Sequence, residues 1–173
     1  MSGPAYSRPM AQPLTPLTII ALSAFALAGC APTAPKGVDK AKLDEAVSKA
    51  IGDPASCLLI AEQASGRLVY RYNTHIACDR ELPACDARGV RSIDQLLKAT
   101  RQDGQPRQLS CYSTADASRG VGWASGVLPG PTPGKGGLVY AAMMEGDRSF
   151  PGRMMAERLD SAFAKVGLKQ AAP

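Results

Sequence analysis

Four cysteines in the central third of the chain, Cys57, Cys78, Cys85 and Cys111, limit what this sequence can fold into more than any other feature. An even number suggests two disulfides, and four cysteines allow three pairings. The compact loop Asp79-Arg80-Glu81-Leu82-Pro83-Ala84 favours a Cys78–Cys85 bridge. That leaves Cys57–Cys111 as a long-range staple from the first strand region to the second half of the chain. Each bridge is worth about 2–4 kcal/mol, the longer loop the more. Zinc would need Cys or His pairs two to four residues apart. No two cysteines stand that close, and His75, the only histidine, is an unconvincing ligand alone, so no metal site and no cofactor is expected.

The fifth cysteine, Cys30, ends an apolar run over residues 17–28 that follows Arg8, the only charge before Lys36. The run is too short for a bilayer span, which needs about 20 apolar residues, and has the make-up of a signal-peptide core. Its end, Leu27-Ala28-Gly29-Cys30, resembles the lipobox of bacterial lipoproteins. The resemblance implies cleavage before Cys30, acylation of its thiol and durable anchoring to a membrane. Ala31 after the cysteine implies the outer membrane, facing the periplasm. Residues 1–29 are then a signal peptide and 30–37 a tether, whose Pro32 and Pro35 favour extended backbone. An exported domain also suits disulfides. The charge balance of 20 basic to 15 acidic residues is mild and scattered, which argues against a nucleic-acid partner.

Beyond the tether, residues 38–168 read as one domain and 169–173 as a tail. Asp39 caps a helix to Ile51, with Leu43, Ala46, Val47, Ala50 and Ile51 as its apolar stripe. Residues 57–72 read as a hairpin turning at Ala64-Ser65-Gly66. Residues 73–90 read as a loop. Ser92 with Gln95 forms a capping box opening a second helix that ends near Gly104. Strands follow around 108–113, 120–127 and 138–145, the last two joined by the Gly- and Pro-rich connection 128–137. The alternating small residues Gly122, Ala124 and Gly126 require a close crossing by another element, a helix. Met155, Leu159, Ala162, Phe163 and Val166 form the stripe of a closing helix. The fold class is therefore α+β: an antiparallel sheet of about five strands, element order α-β-β-α-β-β-β-α, with the terminal helices on one face. A 57–78 or 57–85 bridge would contradict the sheet geometry assumed in that reading.

The segment Gly66-Arg67-Leu68-Val69-Tyr70-Arg71-Tyr72-Asn73, the loop after it with Pro83-Ala84-Cys85-Asp86-Ala87-Arg88, and the later Gly122-Trp123 strand resemble the α/β domain of the penicillin-binding protein and serine β-lactamase superfamily. The resemblance implies that shape, reduced and degenerate. Cys85 stands at the nucleophile and Arg88 at its lysine, Cys111-Tyr112-Ser113-Thr114 replaces Lys-Thr-Gly, and residues 90–111 leave no room for the family's helical domain. Roadblock- and profilin-like domains share the same element order.

Arg88 cannot act as a base, because a guanidinium stays protonated. The sequence therefore suggests no catalytic residue, and a non-catalytic interaction or envelope-assembly module at the membrane, partnered by an envelope protein or peptidoglycan. One alternative is a divergent β-lactamase-like or cysteine-dependent acyl-transfer or hydrolase enzyme, with Cys85 as nucleophile and Arg88 binding the oxyanion or a carboxylate. Another is a small-ligand or peptidoglycan binder using Trp123, Tyr70 and Tyr72 as stacking or edge residues.

Overall fold

The structure is a computed structural model that describes Gly3, residues 33–129 and residues 137–169. Apart from Gly3, the expected signal peptide lies outside the described residues, as do Cys30, the first part of the tether, most of the connection 128–137 and the end of the tail. Helix α1 (Lys40–Ile51) begins where Asp39 accepts from the Lys42 amide at 2.9 Å and buries Leu43, Val47, Ala50 and Ile51. It stops at Gly52, whose amide returns to the Ser48 carbonyl at 2.8 Å. Strands β1 (Ser56–Glu62) and β2 (Leu68–Tyr72) form the hairpin, which turns through Gly66 at φ 75°.

Residues 73–90, expected as loop, contain the four-residue helix α2 (His75–Cys78) and most of a two-stranded hairpin, β3 (Leu82–Pro83) with β4 (Val90–Arg91). These pieces are too short for any periodicity to announce them. Helix α3 (Ile93–Asp103) carries the full capping box of Ser92 and Gln95 and ends at Gly104 in the left-handed region, φ 69°. Strands β5 (Arg107–Tyr112), β6 (Gly120–Leu128) and β7 (Leu138–Gly146) follow, then α4 (Gly152–Lys165).

The five long strands make one antiparallel sheet in the order β2-β1-β7-β6-β5. Its central strands are apolar on both sides because both faces are covered. Leu58 and Ile60 of β1, and Leu138, Tyr140, Ala142 and Met144 of β7, face α1 and α4. Their neighbours Cys57, Leu59, Ala61, Val139, Ala141 and Met143 face α3. This is the two-residue period of a strand read out on two separate cores. The terminal helices do share one face.

The close crossing required of β6 is made by the entry to α4. A Cβ on Gly122 would lie 2.0 Å from the Phe150 carbonyl oxygen, and one on Gly152 2.3 Å from that of Trp123. The Gly152 amide donates to the Ser110 hydroxyl at 2.8 Å.

Candidate functional site

Residues 73–91 leave the sheet through Asn73, which holds φ 76°, a conformation that asparagine tolerates better than most residues. Its side-chain amide donates back toward the carbonyls of Asp53, Pro54 and Ser56 at 3.2, 3.2 and 2.9 Å. Thr74 then caps α2 by accepting from the Ala77 amide at 3.2 Å. One turn of helix puts Ala77 and Cys78 inward and leaves Ile76 85 % exposed.

From Cys78 onward the chain runs as a strap across the α3 face of the sheet, with one fastening to each strand it crosses. Cys78 is bonded to Cys57 on β1. Arg80 donates to Glu145 on β7 at 2.7 Å. The Pro83 carbonyl accepts from the Trp123 indole on β6 at 2.8 Å. Cys85 is bonded to Cys111 on β5. The order of fastenings is the order of the strands, β1-β7-β6-β5. All four lie in two adjacent cross-strand rows: Cys57, Met143, Trp123 and Leu109 in one, Glu145, Val121 and Cys111 in the other.

This arrangement corrects both expected disulfides. Cys57 and Cys111 sit three strand spacings apart, about 14 Å, well past the roughly 7 Å that a bridge tolerates. Cys78 and Cys85 are close in sequence, but the strap carries them to opposite ends of the same crossing. The Cys57–Cys78 bridge leaves the sheet as expected, because Cys78 arrives on a helix laid over one face and displaces no strand.

The middle fastening is the most polar group of the interior. Glu145 is 5 % exposed. It accepts from Arg119 Nε and Nη2 at 2.7 and 2.8 Å, from Arg80 Nη2, and from the Ser113 hydroxyl at 2.9 Å. Hydrogen bonds from Arg119 first, then from Arg80 and Ser113, outweigh the opposing effect of burial and lower its pKa to about 2. The carboxylate is therefore an ionised clasp joining strap, β5–β6 hairpin and β7, and not a proton carrier at neutral pH. No local pattern signals it, because its partners lie 65, 32 and 26 residues away along the chain.

The residues singled out from sequence fall in different places. Trp123 and Tyr70 are fully buried core. The Tyr70 hydroxyl donates to Asp44 at 2.9 Å, and burial, reinforced by that carboxylate, holds its pKa well above the ordinary value. Tyr72 alone faces an opening, a cleft of about 430 Å³ lined with Ser48, Gly52, Asp53, Pro54 and Asn73. Cys85 has no thiol to offer while bonded to Cys111, and Arg88 is exposed at the tip of the β3–β4 loop. His75 is exposed and paired with Arg71. Among the described residues no group of three His, Cys, Asp or Glu side chains is placed to hold a metal ion.

Of the five exposed large apolar side chains described, three mark the strap. Ile76 and Val90 lie in the 73–91 segment itself, and Tyr112 adjoins the bridged Cys111. The segment thus has little regular structure of its own, is fixed at four points and shows apolar side chains outward. No family model, curated protein or solved structure matches the chain.

Proposed function

We propose that this chain is a lipid-anchored protein of the bacterial envelope, held at the outer membrane on its periplasmic side through Cys30, and that it is a non-catalytic interaction module. The residue 73–91 segment is its protein-binding surface. The observation that carries the reading is the cysteine arrangement. The two bridges use Cys57, Cys78, Cys85 and Cys111, so the fifth cysteine, placed after the apolar run and Leu27-Ala28-Gly29, is the one they leave to lipid. Two disulfides also suit an oxidising compartment, and no helix among the described residues is long and apolar enough to cross a membrane. A lipid would then supply the hold. The cysteine-enzyme alternative loses support, because its nucleophile is half of a bridge.

Metabolic labelling with palmitate in a bacterial host tests the anchor. The wild-type chain should take up label and sediment with membranes. Cys30→Ser should take up no label and leave an uncleaved or soluble precursor, and label retained by that variant would overturn the reading. For the surface, a photo-crosslinker at position 76 in intact cells should give a discrete protein adduct that the same probe at Ser161, on the exposed side of α4, does not. Identical adduct patterns at the two positions would refute the assignment.

A further inference from the structure

We propose that Cys85–Cys111 is a site of thiol–disulfide exchange, opened by a dithiol reductant while Cys57–Cys78 stays closed, and that its opening releases the far end of the strap. The two bridges differ in what an attacking thiolate meets. Exchange requires the thiolate to approach a sulfur directly. Cys57 is 0 % and Cys78 2 % exposed, so the inner bridge is reached only by local unfolding. Cys85 and Cys111 are each partly exposed and pack at the margin of the α3-side core. Cys111 sits on β5, which has a neighbour on one side only. The loop just after Cys85, residues 86–89, is exposed throughout.

Backbone geometry adds a second, independent difference. Cys85 holds φ 67°, in the left-handed region that a residue with a Cβ rarely adopts. Neither Cys57 nor Cys78 is among the residues with positive φ. Opening the outer bridge lets Cys85 relax, whereas opening the inner one exposes apolar core. Both differences point the same way.

The step balances without any group beyond the dithiol. One thiolate of the reductant bonds to one sulfur of the pair and expels the other as a thiolate, which takes up a proton. The second thiolate of the reductant then attacks the mixed disulfide and leaves with an internal disulfide. The Cys85–Cys111 pair gains two electrons and two protons, and the dithiol loses the same. The strap end then remains attached through the Pro83 carbonyl and Trp123 and keeps its β3–β4 pairing, and residues 85–89 lose their tie to β5. This inference goes beyond the anchoring reading and stands or falls without it.

The test is a titration of the full chain in detergent with dithiothreitol, quenched by an alkylating reagent and mapped by peptide mass spectrometry. Circular dichroism and the emission of Trp123, the only tryptophan, are followed in parallel. Cys85 and Cys111 should be labelled at least tenfold faster than Cys57 and Cys78, with secondary structure retained and Trp123 emission shifted. Equal rates, the reverse order, or labelling only after loss of secondary structure would overturn the proposal. Unchanged Trp123 emission at full labelling would overturn the coupling to the strap. Cys85→Ser with Cys111→Ser should fold, keep the inner bridge and show the emission of the partly reduced protein. Failure of that double variant to fold would count against an opening that leaves the rest of the molecule in place.

Discussion

Glu145 ties three parts of the molecule through one carboxylate, and its charge is what the clasp depends on. A carboxyl whose folded pKa is lowered from 4.5 to about 2 contributes stability that is fully present above the unfolded value. That contribution is lost as pH falls from about 4.5 toward 2. The exposed carboxyls Asp103 and Asp116 are lowered to the same range by hydrogen bonds, from Arg107 first and from Thr114 first respectively. The wild-type acid limb therefore sums several groups. Glu145→Gln isolates one: in urea unfolding from pH 7 to 2.5, the variant should lose about 2 kcal/mol at pH 7. The figure is smaller than for a fully buried pair, because Arg80 and Arg119 are partly exposed. The gap to wild type should shrink steadily from about pH 4.5 down to 2.5, and a gap independent of pH would show that shape and not charge is at issue.

Among the elements, α3 and α4 depend on their first residues for different reasons. In α3 the Ser92 side chain accepts from the Gln95 amide at 3.3 Å, and the Gln95 side chain accepts from the Ser92 amide at 3.1 Å. Ser92→Ala removes half of that exchange and should lower stability by about 1 kcal/mol in denaturant unfolding. In α4 the first residue must be glycine for space. A Cβ at Gly152 would meet the Trp123 carbonyl oxygen at 2.3 Å and the Leu109 oxygen and nitrogen at 2.5 and 2.6 Å, all backbone. Gly152→Ala improves helix propensity by about 1 kcal/mol, yet it should destabilise by about 2–3 kcal/mol through overpacking. A melting temperature raised by this change would mean that α4 sits farther from the sheet than described.

For the whole molecule, the two bridges close loops of similar length, 21 and 26 residues. Chain entropy then assigns each about 3 kcal/mol, and loop length does not rank them. Burial does. Removing Cys57 and Cys78 as a pair of alanines also leaves a gap in the α3-side core, whereas the Cys85 and Cys111 pair lies at its margin. The inner double variant should be less stable than the outer one by about 1–2 kcal/mol in thermal unfolding. Equal losses would place the whole effect in the unfolded chain.

The sequence by itself determined the α+β class, the five long strands, the three long helices and the N-caps of the first two of those helices. Each of these is written in residues adjacent in the chain. Asp39 and the Leu43–Ile51 stripe make α1, Ser92 with Gln95 opens α3, and the apolar runs of β1 and β7 mark them as strands. The alternating glycines of β6 even announced a close neighbour, though not that the neighbour is the turn into α4. The tertiary structure alone decided the disulfide pairing, the Glu145 clasp and which aromatic residues meet solvent. Each of these joins residues whose distance is set by strand order, and no local pattern encodes strand order. Cys78 and Cys85 are seven positions apart, yet two strands separate the partners they reach, because the segment between them crosses the sheet instead of closing on itself.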